Sequence, residues 1–89
     1  MAVVERTVRI VNELGLHARP AAAFVKVAGQ FSSEIQVRRD DMAVNGKSIM
    51  GVMTLAAERG SQLVITADGA DADAAVRALA ALVESGFKE

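Results

Sequence analysis

Residues 4–10, Val4-Glu5-Arg6-Thr7-Val8-Arg9-Ile10, and residues 18–28, Ala18-Arg19-Pro20-Ala21-Ala22-Ala23-Phe24-Val25-Lys26-Val27-Ala28, carry two different hydrophobic periods on either side of a short loop. In the first, Val4, Val8 and Ile10 fall on one face while Glu5, Thr7 and Arg9 fall on the other, the period of two that marks a half-buried strand. In the second, Ala21, Phe24, Val25 and Ala28 recur at i, i+3, i+4 and i+7, one stripe of an amphipathic helix. The fold therefore opens strand, loop over residues 12–15, helix. Pro20 fits the first turn of that helix, where backbone N–H groups lack intrahelical partners in any case. His17 then falls at or beside the N-cap. Gly29 is placed to stop the helix by adopting the left-handed conformation that glycine takes cheaply.

Working outward, Ile35 and Val37 alternate with Glu34, Gln36 and Arg38, which predicts a second strand. Arg39-Asp40-Asp41 reads as a tight turn into a short third strand carrying Met42 and Val44. Asn45-Gly46 is the strongest hairpin dipeptide in the chain. It is nonetheless read as a loop, because Ile49, Val52 and Met53 recur at helical spacing with Ser48 as N-cap. Gly51 inside this second helix weakens it by about 1 kcal/mol relative to alanine, so the helix should be short and dependent on packing. Residues 62–67 form a fourth strand, and a polar turn ends at Asp71, a candidate cap for a last helix. Ala72, Ala75, Val76, Leu79, Leu82 and Val83 make that helix's stripe, which ends near Gly86. The order β-α-β-β-α-β-α, with one polar face per strand, predicts an α+β two-layer open-faced sandwich: a four-stranded antiparallel sheet covered on one face by three helices.

The 89 residues suit one domain, residues 1–89, that buries roughly 60–65% of the surface its unfolded form exposes. Aliphatic residues dominate the 52% hydrophobic fraction, and the 3% aromatic fraction is all phenylalanine. Without cysteine there is no disulfide framework and no thiolate metal site. The charged N-terminal residues Glu5 and Arg6 interrupt any signal-peptide core, and no apolar run approaches the roughly 18 residues of a membrane span. A cytoplasmic protein without membrane insertion is expected. The net charge of −1 and the lack of stacking aromatics argue against nucleic acid as a partner.

His17 is the single histidine. An unperturbed imidazole titrates near neutral pH and can serve as both nucleophile and leaving group. A helix N-terminus favours an anion just outside it, where the amides of Ala18 and Arg19 would meet a phosphate on the ring. Arg19 adds a permanent cation with fork-like donors. The bland alternative is a surface N-cap histidine with no chemistry. Metal binding is poorer, since one histidine without cysteine lacks the usual ligand set, and no cofactor is implied. Ser48 reads either as a plain helix cap or as a modification site where a phosphate's negative charge suits the helix dipole. Met50, off the helical stripe, is either a scattered surface hydrophobe or part of an adaptable docking surface. Lys26 and Lys47 either attract acidic partners or are simply solvated. No catalytic triad and no glycine-rich nucleotide loop is present, which fits a relay and not a self-sufficient enzyme.

Gly15-Leu16-His17-Ala18-Arg19-Pro20-Ala21 and Lys47-Ser48-Ile49-Met50-Gly51-Val52-Met53 resemble the active-site and regulatory-serine signatures of the HPr phosphocarriers of the bacterial phosphotransferase system. The resemblance spans nearly the whole chain. It implies that His17 accepts a phosphoryl group on Nδ1 from phosphorylated enzyme I and passes it to an enzyme IIA domain, with Arg19 assisting at the phosphate. It implies Ser48 as the target of an HPr kinase/phosphorylase where one exists. It also implies a monomer whose docking surface includes Ala18, Arg19, Ala22, Lys26, Ile49, Met50 and Met53. Asn12-Glu13-Leu14-Gly15 and Glu84-Ser85-Gly86-Phe87 resemble the nitrogen-related paralogue, whereas the Ser48 context resembles kinase-regulated sugar-system proteins. Two further function classes stand beside the relay. One is a regulatory binding module switched by Ser48 phosphorylation, in a nitrogen-related or catabolite-control branch. The other is a ferredoxin-like small-ligand sensor, suggested by element order alone.

Overall fold

The computed structural model describes residues 3–88. Its elements are β1 (Val3–Arg9), α1 (Ala18–Ala28), β2 (Glu34–Arg39), β3 (Met42–Asn45), α2 (Ile49–Thr54), β4 (Gln62–Asp68) and α3 (Ala72–Glu84), followed by a terminal turn, Gly86–Lys88. The strands lie in the order β1-β4-β2-β3, each antiparallel to its neighbour. This is the α+β open-faced sandwich that the periodicities predict.

Register explains the two faces. Glu5, Thr66, Gln36 and Asn45 stand opposite one another across the four strands, a polar row on the open face. One residue along, Arg6, Ile65, Val37 and Val44 form the row beneath the helices. Arg6 is tolerated there because β1 is an edge strand, from which its guanidinium reaches Glu84 of α3 at 3.4 Å. The helix α3 lies over β1 and β4, and α1 packs against both α2 and α3. Phe24, Val52, Leu79 and Val83 thus meet Val37, Leu63 and Ile65 in one core, all of them buried. Asp40 takes φ 55 at the β2–β3 hairpin, the left-handed conformation that a short polar side chain tolerates in a two-residue turn.

Several expectations are corrected. Gly29 is right-handed (φ −66, ψ −13). The end of α1 instead tightens, with the amides of Gln30 and Phe31 donating to Val27 and Ala28, so i→i+3 bonds satisfy carbonyls that a left-handed cap would have served. In α2 only Val52 is buried, while Ile49 and Met53 of the predicted stripe are exposed. A six-residue helix wedged against α1 and the short β3 has room to turn one side chain inward. In α3, Leu82 is only half-buried and Ala80 takes its place in the core, since the small side chain admits the close approach of the sheet.

Asp71 occupies the N-cap position of α3 but makes no side-chain cap bond. Its carboxylate turns away to accept from the amides of Ser32 at 2.8 Å and Ser33 at 2.9 Å, and from both hydroxyls. It thereby ties the α1–β2 loop to the start of α3. The Ser33 hydroxyl foremost, and then the Ser32 amide, pull its pKa from 3.8 down to about 2.

Beyond α3 the chain does not simply stop near Gly86. Gly86, Phe87 and Lys88 all have positive φ (71, 58 and 60), so the terminal turn winds left-handed. Such a conformation costs roughly 1–2 kcal/mol for each residue bearing a side chain. Phe87 is only 7% exposed and joins the core. Burying a phenylalanine ring contributes about 1.5–3 kcal/mol, enough to offset most of that strain.

Candidate functional site

The site is built on the loop between β1 and α1. The Asn12 side-chain amide donates to the Gly15 carbonyl at 2.8 Å, and the Gly15 amide donates back to the Asn12 carbonyl at 3.2 Å. Gly15 has φ +69 and lies against the backbone of Ala57 and Glu58, closer than any Cβ could. Leu16 then donates its amide to the Ala57 carbonyl at 2.8 Å and buries its side chain. The loop is pinned to the segment after α2, and the next residue is presented from a fixed base.

That residue is His17, the N-cap of α1, with φ −80 and ψ −170. Its carbonyl accepts from the Ala21 amide at 3.0 Å, the first helical bond, while its side chain makes no capping bond. The ring is half-exposed. Pro20, buried in the first turn, has no N–H to leave unsatisfied and fixes the direction in which the helix departs. The amides of Ala18 and Arg19 precede the first intrahelical bond, and the first turn contains no acidic residue to offset the positive end of the helix dipole. Beside the ring is an open recess of about 480 Å³, lined by Leu14, His17, Arg19, Pro20, Ala23, Phe87 and Lys88. Among the described residues that line it, Arg19 and Lys88 carry cationic groups and none carries a carboxylate. Such a recess suits a small anion attached to, or resting against, the imidazole.

Ser48 is the N-cap of α2, with its hydroxyl oxygen accepting from the Gly51 amide at 3.1 Å. Its cap reading is thus realised. Lys47 is not simply solvated, because its ammonium donates to the Phe31 carbonyl at 2.7 Å and ties α2 to the end of α1. Arg39, which the sequence reading did not single out, donates to the carbonyls of Leu55 and Ala56 at the end of α2. Its charge sits where the helix dipole favours a cation. Ala18, Arg19, Ala22 and Lys26 are exposed on α1. On the adjoining α2, Ile49, Met50 and Met53 are 43%, 80% and 41% exposed, a concentration of apolar surface that a short helix would otherwise bury. Leu14, Phe87 and Lys88 were missed as neighbours of His17. Only the lone apolar Phe87 beyond a terminal glycine gave any signal for them.

Among the described residues no group of three or more potential ligands is placed to hold a metal ion, and no helix is long and apolar enough to cross a membrane. Residues 4–85 match the family model described as the PTS HPr component phosphorylation site. The chain belongs to the HPr family. It is 46% identical over 87 residues to the phosphocarrier protein HPr of Neisseria meningitidis serogroup A, covering 98% of each. To the HPr of Treponema pallidum it is 47% identical over 87 residues, covering 98% of this chain and 99% of that protein. The crystal structure of HPr from Thermoanaerobacter tengcongensis superposes with a TM-score of 0.93 at 49% identity, covering 97% of both chains. As an HPr-family chain it is a phosphocarrier of the phosphotransferase system, a carrier of the phosphoryl group and not itself the catalyst.

Proposed function

We propose that His17 is the atom-level carrier, taking a phosphoryl group on its imidazole from phosphorylated enzyme I and yielding it to an enzyme IIA domain. The observation that carries this reading is the half-exposed ring at the N-cap of α1, beside Arg19 and a recess with no carboxylate among its described lining residues. In the forward step the lone pair of the ring nitrogen forms a new N–P bond as the donor's bond to phosphorus breaks. The donor atom keeps the electron pair and takes up a proton, and the imidazole releases one from its other nitrogen. The amides of Ala18 and Arg19 and the Arg19 guanidinium meet the charge on the arriving phosphoryl oxygens. Transfer onward repeats the step with His17 as donor, and in each transfer one proton passes from acceptor to donor by exchange with water.

The chain works as one HPr-like domain, residues 1–89, in the cytoplasm and as a monomer. Its docking surface joins Ala18, Arg19, Ala22 and Lys26 of α1 to Ile49, Met50 and Met53 of α2. Ser48 supplies a second, regulatory input through an HPr kinase/phosphorylase. A phosphate there would keep the helix cap, since the dipole tolerates it, while placing charge within an apolar docking face.

Incubation with enzyme I and labelled phosphoenolpyruvate is expected to give an acid-labile, alkali-stable phosphoryl adduct. The His17→Ala variant should take up none. Label retained by that variant would overturn the assignment.

A further inference from the structure

We infer that Lys88 is a second cationic ligand of the phosphoryl group carried by the chain, brought to His17 by the left-handed terminal turn. The inference rests on the reading of His17 as the carrier. Two independent observations lead to it. The first is the recess beside the ring, whose lining combines residues of the 12–17 loop and the first turns of α1 with Phe87 and Lys88 from the far end of the chain. Among its described lining residues Arg19 and Lys88 are the charged groups beside His17, and both are cationic. The second is conformational. Phe87 and Lys88 hold φ 58 and φ 60, values that residues with side chains rarely adopt. Strain of this kind persists only where surrounding structure imposes it, and it gathers at sites where a side chain must be aimed.

The device is legible residue by residue. Ser85 closes α3, its amide donating to the Ala81 carbonyl at 3.0 Å. Gly86 reverses the winding at φ +71, and the Phe87 ring drops into the core. With Phe87 anchored, Lys88 lines the same recess as Pro20 and Ala23. An ammonium on a flexible stem can follow a phosphoryl group as it arrives and leaves, which complements the fixed fork of Arg19. Because Lys88 is exposed, its attraction is that of a surface ion pair, screened by salt.

The test is a competition. Equal amounts of the wild-type chain and a Lys88→Ala variant share one pool of enzyme I with limiting phosphoenolpyruvate until exchange is complete. Alkaline intact-mass spectra then read how the phosphoryl group divides between them. An exposed ion pair of the usual strength corresponds to about a two- to fivefold preference for the wild type at low salt. That preference should fade at about 1 M salt, where charges are screened beyond about 3 Å, and a Lys88→Arg variant should divide the label evenly with the wild type. Equal division between wild type and Lys88→Ala would overturn the inference. So would a Lys88→Arg variant as poor as Lys88→Ala, which would assign the effect to the turn and not to its charge. Failure of the underlying reading looks different: the wild type would take no label, or His17→Ala would keep it.

Discussion

Replacing Gly15 with alanine should destabilise the fold far more than one methyl group would suggest, and should displace His17 in doing so. An ideal Cβ on Gly15 would lie 2.4 Å from the Ala57 carbonyl oxygen and 2.8 Å from Glu58 Cα. Both are backbone atoms, so neither can rotate aside. Gly15 also holds φ +69, which costs an alanine roughly 1–2 kcal/mol. Moving the loop away would break the 2.8 Å bond from the Leu16 amide to the Ala57 carbonyl, worth about 0.5–1.5 kcal/mol net. Repacking around the intrusion adds about 1–3 kcal/mol, as overpacking usually does. The sum is about 2.5–6.5 kcal/mol, a large part of the ~5–15 kcal/mol stability of a small domain. Gly60 supplies the internal control. It has φ +92 but nothing within 4 Å of its ideal Cβ, so Gly60→Ala carries the conformational strain alone, about 1–2 kcal/mol.

Urea denaturation followed by circular dichroism separates the two. With a slope near 1 kcal/mol per molar, reasonable for a chain this short, the midpoint should fall by about 2.5–6.5 M for Gly15→Ala and about 1–2 M for Gly60→Ala. Phosphoryl uptake from enzyme I by whatever fraction remains folded should slow in Gly15→Ala and stay normal in Gly60→Ala. If the two variants unfold within about 0.5 kcal/mol of each other, the segment after α2 yields freely and the pinned-loop account of His17 is wrong.

Two further outcomes follow from caps. Ser48→Ala should cost about 0.5–2 kcal/mol through loss of the bond accepted from Gly51, read as a lower urea midpoint. Ser48→Asp should keep that cap and stay within about 0.5 kcal/mol of the wild type while slowing phosphoryl transfer from enzyme I; wild-type transfer kinetics would count against a regulatory Ser48. For Asp71 the folded pKa of about 2 lies below the ordinary 3.8, so its ionised form stabilises the fold above about pH 4. That contribution is lost as pH falls through about 2. Asp71→Asn should therefore be less stable than the wild type at pH 5–7, with the gap closing steadily below about pH 4; a gap that stays constant to low pH would refute the carboxylate's role.

Element order and both signature segments were legible in the sequence because each rests on local physics. The switch from a period of two at Val8 and Ile10 to helical spacing at Phe24 and Ala28 survives any tertiary context. No hairpin turn forms at Asn45-Gly46, where Asn45 ends β3 and Gly46 opens the loop, because the Ser48 cap and the Val52 position outweigh a dipeptide turn signal. What escaped is long-range. Asp71 looks like a cap by position, but the amides of Ser32 and Ser33 offered a better set of donors from the neighbouring α1–β2 loop. Gly29 looks like a left-handed stop, but the turn that follows it closes with i→i+3 bonds. Ile49 and Met53 read as core by spacing, and only the limited contact of α2 shows that they face outward. Nothing local announces that Lys88 lies beside His17, since the placement depends on one buried ring and three left-handed residues.

The openness of the site has an energetic logic. A relay must accept a phosphoryl group and surrender it, so its phosphorylated form must lie close in transfer free energy to those of its donor and its acceptor. Helix-terminus contacts contribute about 0.3–1 kcal/mol each when exposed, and an exposed ion pair about 0.2–1 kcal/mol. With the proposed ligands, two α1 amides, Arg19 and Lys88, the bias would be about 1–4 kcal/mol, or roughly five- to 900-fold. A buried cationic pocket would hold the group several kcal/mol more tightly, and release would become the slow step. Rigidity is supplied elsewhere, by Gly15 against Ala57, by Leu16 and Pro20 in the core, and by Phe87 beneath the terminal turn. The scaffold fixes where the imidazole points, while the groups proposed to meet the phosphoryl oxygens stay at the surface, each weak enough for a partner's own donors to replace.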